Sequence, residues 1–199
     1  RVRAEYHQAL ALALAEHLGS EQDPGLVARH WLAAAKPGRA LPHLLAASER
    51  ANAMSAHVEA QAYAERALAV IETGADASPD TRLALLFEKA KSIEALEGTP
   101  ADTLRAHYVA IADTAATLER PDARLKALGG LVGCHVSTLD FDPARGAIAE
   151  MAAIARARND PFYAAEADRY LGIVEYHARG FAEARATLER ALDTFDSSE

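Results

Sequence analysis

Residues 160–199 read DPFYAAEADRYLGIVEYHARGFAEARATLERALDTFDSSE, and the fold class can be inferred from this stretch. Two segments with the apolar spacing of α-helices meet there at a tight turn around Arg179-Gly180. Gly172, Ala184 and Ala191 are small enough to let the backbones of two antiparallel helices approach closely. We expect the larger apolar residues of the stretch to fill the gaps between the two helices.

The spacing of these residues resembles one unit of a tetratricopeptide (TPR) repeat. The matching positions are Leu171-Gly172, Tyr176, Phe181, Ala184, Leu188 and Ala191-Leu192. The tryptophan near the start of the repeat is missing, and Asp196 stands where the repeat closes with proline. The resemblance implies an all-α, TPR-like solenoid in which antiparallel helix pairs stack into a right-handed superhelix.

Related patterns recur along the chain with a period near forty residues. Ala184 corresponds to Ala144, with a weaker match around Leu104 and a clear one at Ala60. A single helix pair cannot bury its apolar face, so neighbouring pairs must stack to form a core. We predict about ten helices in one continuous domain, with a lead-in over residues 1–36. Four helix pairs follow, over residues 37–72, 79–118, 121–158 and 161–195.

Capping residues followed by proline predict where helices begin. Such pairs place helix starts at Pro24, Pro79, Pro100, Pro143 and Pro161. The first helix is predicted over residues 2–18, with Gly19 as its stop signal. The fourth helix is predicted to bury Ala60, Ala64, Ala67 and Leu68.

Composition excludes several classes of function. The chain carries a net charge of −8, with dispersed Lys and Arg, whereas nucleic-acid binding needs a clustered basic surface. Its apolar runs are too short to span a membrane, and no signal peptide is visible. We expect no nucleic-acid or membrane partner and a cytoplasmic location. The sequence starts at Arg1 without Met, so we expect a piece of a longer protein.

The N-terminal third carries a second resemblance. The matching residues are Asp23-Pro24, Leu26, Arg29-His30-Trp31 and Ala33-Ala34-Ala35. The region is similar to the helical segment that follows the ATPase in bacterial STAND-class regulators, which include LuxR-type regulators of the maltose-activator kind and ATPase-linked nucleotide cyclases. Ala35 departs from the usual glycine or small turn residue, and Pro37-Gly38 is expected to supply the turn instead. The resemblance implies a sensory or assembly role.

Neither catalytic nor metal chemistry is predicted. The eight histidines form no H-E-x-x-H motif or Cys/His cluster with ligand spacing. Cys134 and His135 are neighbours on a helix and point about 100° apart, so Cys134 is interpreted as a small core residue. Trp31 is interpreted as a packing anchor with His30 at its edge, in preference to a ligand-binding pair. We expect no enzyme activity, no cofactor and no metal.

The candidate binding surface is the inner, concave face formed by the first helix of each pair. It comprises Arg169, Tyr170, Ile173, Tyr176, His177, Lys126, Gly133, Lys89 and Asn52. Gly129, Gly130 and Gly133 make one helix unusually bare, at a cost of roughly 2–3 kcal/mol against alanine. Close approach of neighbouring helices explains these glycines, and a floor kept open for a ligand, walled by Tyr170, Tyr176 and Arg169, is the alternative. The pattern of chaperone-binding repeats is not reproduced.

We therefore expect a non-catalytic binding and regulatory module of a larger STAND-type ATPase transcriptional regulator. Its partner is a protein or peptide, or a small-molecule inducer, and the module can assist oligomerisation. The alternative is a free-standing TPR scaffold that assembles other proteins. The phosphate-binding loop G-x-x-x-x-G-K-[ST] does not occur in these residues.

Overall fold

A computed structural model describes residues 2–17 and 23–196, and this part of the chain is all-α, as predicted. The ten helices are α1 (Val2–His17), α2 (Pro24–Ala33), α3 (Pro37–Ala53), α4 (His57–Glu72), α5 (Pro79–Glu97), α6 (Asp102–Thr117), α7 (Pro121–Ser137), α8 (Phe141–Arg158), α9 (Pro161–Ala178) and α10 (Phe181–Asp196). The predicted end of the first helix, at Leu18 and Gly19, lies outside the described residues. None of the described helices combines the length and the apolar character that crossing a membrane requires.

Successive helices begin at a regular spacing in both parts of the chain. Starts at positions 37 and 57, and at 121, 141, 161 and 181, are twenty residues apart. A helix pair therefore repeats every forty residues, which is the period read from the sequence. Handedness of a superhelix remains a prediction.

The links between helices share one backbone conformation. A residue in the left-handed conformation follows each helix from α2 to α9, where it lets the chain turn back. Glycine supplies it at Gly74, Gly98 and Gly180. The remaining links use Ala35, Ser55, Glu119, Leu139 and Asn159, with φ between 53° and 60°.

One expectation about these turns was wrong. Ala35, with a φ of 56°, makes the turn itself, whereas Pro37 and Gly38 form the first turn of α3. Proline is favoured there because a helix leaves its first N–H groups without internal partners, so the missing donor costs nothing. Ala35 therefore occupies the position that glycine would suit best.

The predicted capping residues form hydrogen bonds at three helix starts. The carboxylates of Asp23 and Asp160 accept from the N–H groups of Leu26 and Tyr163, at 2.9 and 3.2 Å. The Ser78 hydroxyl accepts from Thr81 N–H in the same way. Two starts are shifted, because α6 begins after Pro100, at Asp102, and α8 begins before Pro143, at Phe141.

The chain forms two compact units, Arg1–Leu96 and Glu97–Glu199. The boundary falls in the last turn of α5, inside the predicted pair 79–118, so that pair and the single continuous domain remain predictions. In the first unit, a core shared by α1 to α5 surrounds Trp31, which is 4% exposed. Trp31 is thus the packing anchor that was predicted. Its core neighbours include Ala11, Val27, Leu44, Ala67 and Leu85.

The second unit is built around α7, α8 and α9. Its core contains Leu125, Val132, Ile148, Met151 and Val174, all less than 5% exposed. Cys134 is buried as well, as expected for a small core residue. The small residues of the repeat, Ala60, Ala144 and Ala184, are buried in their respective pairs.

Candidate functional site

Arg169 and Tyr170 on α9 are held in place by local contacts. The Arg169 guanidinium donates two hydrogen bonds to the Glu166 carboxylate, at 2.7 and 2.8 Å. It also lies over the Tyr170 ring, 4.2 Å from the centroid. The hydrogen bonds to Glu166 raise the pKa of Arg169 above its ordinary value. The arginine is thus a charged, preorganised group whose charge is balanced within one helix turn.

Aromatic rings cover two of the three glycines of α7. A Cβ at Gly129 would lie 2.9 Å from the Tyr170 hydroxyl, and one at Gly130 would overlap the Tyr108 ring. A Cβ at Gly133 would meet only the Thr99 methyl group, at 4.0 Å. The geometry supports close packing as the reason for Gly129 and Gly130, because Tyr170 fills the floor that a ligand would need.

The other predicted residues of this unit lie on an exposed part of the surface or between the helices. Tyr176 is 55% exposed and touches His177 edge to face, with ring centroids 5.2 Å apart. Lys126 is exposed and Ile173 is half-buried. Of the predicted concave face, only Arg169 lines the groove described next.

An apolar groove lies between α9 and α10. Its cavity has a volume of about 360 Å³ and is lined by Phe162, Ala165, Glu166, Arg169, Leu188, Ala191 and Leu192. Phe162 and Leu192 at its rim are 50% and 63% exposed. Large exposed apolar residues grouped around a cavity are typical of an interaction site.

The groove corrects the expectation that the large apolar residues of α10 fill gaps within the helix pair. Leu188 does so, because its side chain packs directly against the backbone of Gly172. A Cβ added to Gly172 would lie only 2.6 Å from the Leu188 side chain. Leu192 and Phe181 are exposed instead. Phe141, the counterpart of Phe181 forty residues earlier, packs against the core. The helical spacing of Phe162 and Leu192 signalled apolar faces, but it could not show that these residues stay uncovered.

Asn52, predicted on the same face of the repeat, organises a polar cluster in the first unit. Its amide donates to the Glu88 carboxylate at 2.9 Å and to the Glu88 carbonyl at 3.0 Å. The amide oxygen accepts from the Ser92 hydroxyl at 3.0 Å, and His57 Nδ1 lies 3.1 Å from it. Because that oxygen can only accept, Nδ1 of His57 is the protonated ring nitrogen.

Glu88 is the buried charge of this cluster, with 6% of the residue exposed. Lys91 pairs with its carboxylate, which balances the charge that burial would otherwise disfavour. A polar cavity of about 440 Å³ opens beside it, lined by Glu49, Asn52, Ala53, His57, Glu88 and Lys91. Sequence reasoning missed Glu88, since its only signal was its place on the same helix face as Ser92.

Lys89, the other predicted site residue of this unit, points elsewhere. It forms an ion pair with Glu65 at 3.0 Å, and this contact lowers the pKa of the Glu65 carboxyl. Lys89 is therefore a link between α4 and α5 and does not line the cavity.

Within residues 2–17 and 23–196, no group of three or more His, Cys, Asp or Glu side chains could hold a metal ion. A histidine pair that sequence reasoning missed joins α1 to α2, with Nδ1 of His7 and His30 2.9 Å apart. Burial, followed by the neighbouring His7 and Arg29, lowers the pKa of His30. A hydrogen bond between these two rings, with one nitrogen donating and the other accepting, joins the two helices.

Comparison with protein-family profiles and with curated protein sequences gives no significant match. A function for this chain must therefore be inferred from the groove, the polar cluster and the two sequence resemblances.

Proposed function

We propose that this chain is a non-catalytic binding module built from TPR-like helix pairs. The observation that carries the proposal is the apolar groove between α9 and α10, with Phe162 and Leu192 exposed at its rim. Covering apolar surface of this kind is favourable, because each Å² removed from water contributes about 25 cal/mol of stabilisation. The helix pairs repeating every forty residues support the repeat interpretation.

A binding role suits the polar groups better than catalysis. Arg169 is engaged by Glu166, and Glu88 by Asn52 and Lys91. General acid or base chemistry needs a titrating group aimed at a reacting atom, with its pKa tuned near neutrality. These paired groups instead fix the positions of polar side chains beside the two cavities.

We further propose that the module belongs to a cytoplasmic STAND-type ATPase regulator, where it receives a protein, a peptide or a small inducer and aids oligomerisation. The support is the resemblance around Arg29-His30-Trp31. Sequencing the gene upstream of Arg1 tests this parentage, because a regulator of this class carries a phosphate-binding loop there. Without that loop, the free-standing scaffold becomes the better proposal.

Affinity capture from the source cell tests the binding role. The wild-type chain is compared with Leu192→Glu, which places a charge at the groove, and with the matched control Val58→Glu. Val58 is 65% exposed on α4, outside the groove, so the control makes the same chemical change elsewhere. We expect one set of proteins to be retained by wild type and Val58→Glu and lost with Leu192→Glu. Equal retention by all three chains would remove the groove from the proposal.

A further inference from the structure

Two cavities of the first unit adjoin along α3. The polar cavity beside Glu88 and a second cavity of about 350 Å³ share Glu49 in their linings. The second cavity is bounded by α3, the start of α5 and the link before it. The α3 residues of the two linings recur at steps of three or four, so they share one face of the helix. They include Leu41, Leu45, Glu49 and Asn52. The two cavities together are named the α3 groove.

One end of the α3 groove combines an apolar wall with carboxylates. Leu41, Leu45 and Ala46 lie in the wall of the 350 Å³ cavity. Among the described residues that line it, the charged ones are Glu49 and Asp76, and both are acidic. Within the described part of the chain, the exposed Glu49 side chain forms no hydrogen bond or ion pair. A ligand with an apolar group next to a positive charge complements this end.

The other end of the α3 groove supplies a positive charge. Lys91 lines the polar cavity and is held there by its ion pair with the buried Glu88. An ammonium group carries three N–H donors, so Lys91 can also donate to the carboxylate of a ligand. His57 lines the same cavity, and because its Nδ1 donates to Asn52, its Nε2 is free of a proton and can accept. The hydrogen bonds of Asn52 fix these groups before a ligand binds, which lowers the cost of binding.

The two ends are close enough for one small molecule. Leu45 and Asn52 are seven residues apart on α3, which is about 10 Å along the helix axis. The two cavities, of about 350 and 440 Å³, have volumes in the range of small-molecule sites. In order along α3, the groove therefore presents an apolar wall, an unpaired carboxylate and an ammonium group.

We propose that the α3 groove binds a free α-amino acid with an apolar side chain. The side chain packs against Leu41 and Leu45, the ligand ammonium pairs with Glu49, and the ligand carboxylate pairs with Lys91. This inference rests on the proposed binding function and names a small ligand for it. It uses a site separate from the groove between α9 and α10.

Isothermal titration calorimetry of the 199-residue chain tests the proposal with L-leucine and L-phenylalanine as probes. Three analogues each lack one of the recognised groups. They are 4-methylpentanoate, which lacks the ammonium, L-leucinamide, which lacks the carboxylate, and glycine, which lacks the side chain. We expect at least one probe to bind, and each analogue to bind at least about tenfold more weakly than L-leucine or L-phenylalanine, whichever is tighter.

A variant of the chain identifies the site. Glu49→Gln should weaken binding of the amino acid at least about tenfold and abolish its advantage over 4-methylpentanoate, because both changes remove the same charge pair. Glu49 is exposed and unpaired, so this variant should unfold at the same urea concentration as the wild type. Glu59→Gln, at an exposed position of α4 outside both linings, is the matched control and should bind as the wild type does.

Three results would overturn the proposal. They are no binding of either probe, equal binding by Glu49→Gln, and equal binding of L-leucinamide, which would show that the carboxylate is not recognised. If neither amino acid binds while Leu192→Glu still loses captured proteins in the previous experiment, the amino-acid inference fails and the binding function survives.

Discussion

In the first unit, α5 is held against α3 by the Asn52 amide, which joins Glu88 and Ser92. In the second unit, α9 is held against α7 by a Tyr170 ring over the bare backbone of Gly129. The junction between α3 and α5 depends on paired hydrogen-bond donors and acceptors. The junction between α7 and α9 depends on the close fit of a ring against a glycine backbone. A polar junction tolerates little chemical change, because an unpaired buried group loses its hydration without replacement. A ring-on-glycine junction is sensitive to added volume instead, because a Cβ on the glycine would crowd the ring.

The largest expected effect comes from breaking the polar junction. Asn52→Ala leaves the buried Glu88 carboxylate with fewer partners and should lower the free energy of unfolding by about 2–3 kcal/mol. Trp31, the single tryptophan, lies in the core of this unit, so its fluorescence in a urea titration reports the loss. Gln61→Ala, which removes an exposed hydrogen bond to Glu65, is the control and should cost less than about 0.5 kcal/mol. Similar losses for both variants would contradict the role of Asn52.

Adding one carbon at the neighbouring ring-on-glycine contact, where Tyr108 of α6 covers Gly130 of α7, should have a smaller effect. In Gly130→Ala the new Cβ meets the Tyr108 ring. Overpacking costs about 1–3 kcal/mol, and the gain in helix propensity returns about 1 kcal/mol, so we expect a net loss near 1 kcal/mol. Gly146→Ala on α8 is the matched control, because nothing lies within 4 Å of its added Cβ. The control should be more stable than wild type in thermal unfolding followed by circular dichroism, and destabilisation of both would refute the volume argument.

Acid should destabilise the first unit through His30. Burial lowers the pKa of His30 below its unfolded value, which is about 6.5. The stability that depends on neutral His30 is therefore complete above that unfolded pKa, and it is lost as pH falls below it, since the unfolded chain takes up the proton first. We expect the Trp31-monitored melting temperature to drop between pH 7.5 and 5.5, and to drop less in His30→Gln. A pH dependence unchanged by His30→Gln would show that another group titrates.

The smallest effects should be equal in the two units, because their links share one backbone device. Ser55 and Leu139 both adopt positive φ, near 60°, and both are exposed. Left-handed backbone costs a residue with a Cβ about 1–2 kcal/mol, while glycine adds disorder to the unfolded chain, so each glycine variant should gain about 0.5 kcal/mol. Asn159→Gly should change little, because asparagine tolerates this conformation. A gain in one unit only, measured by urea unfolding, would show that the links are not equivalent.

Much of the fold could be predicted because it follows from local physics. The Asp23 and Asp160 caps, the prolines after them and the apolar spacing identified every helix, usually to within a few residues. Predictions weakened where two local signals competed. At Ala35, the nearby Pro37-Gly38 suggested a turn, but a proline in the first turn of a helix is equally favourable.

The candidate site was only partly predictable. Arg169 and Asn52 were chosen for lying on the first helix of a pair, and both belong to cavities in the structure. Lys89 was chosen on the same grounds and pairs with Glu65 instead. Position on a helix face follows from periodicity, but the partner of a long side chain depends on residues far away in sequence.

The all-α class, the forty-residue period and the small residues Ala60, Ala144 and Ala184 at three of the helix pairs could be read from the sequence. These properties depend on contacts within a few turns of one helix, where spacing is known in advance. The packing of helices that are distant in sequence determines that Tyr170 covers Gly129, that Glu88 is buried beside Asn52, and that Phe162 and Leu192 stay exposed. Each of these outcomes depends on whether another helix occupies the space above a residue, and that is a property of packing rather than of local sequence.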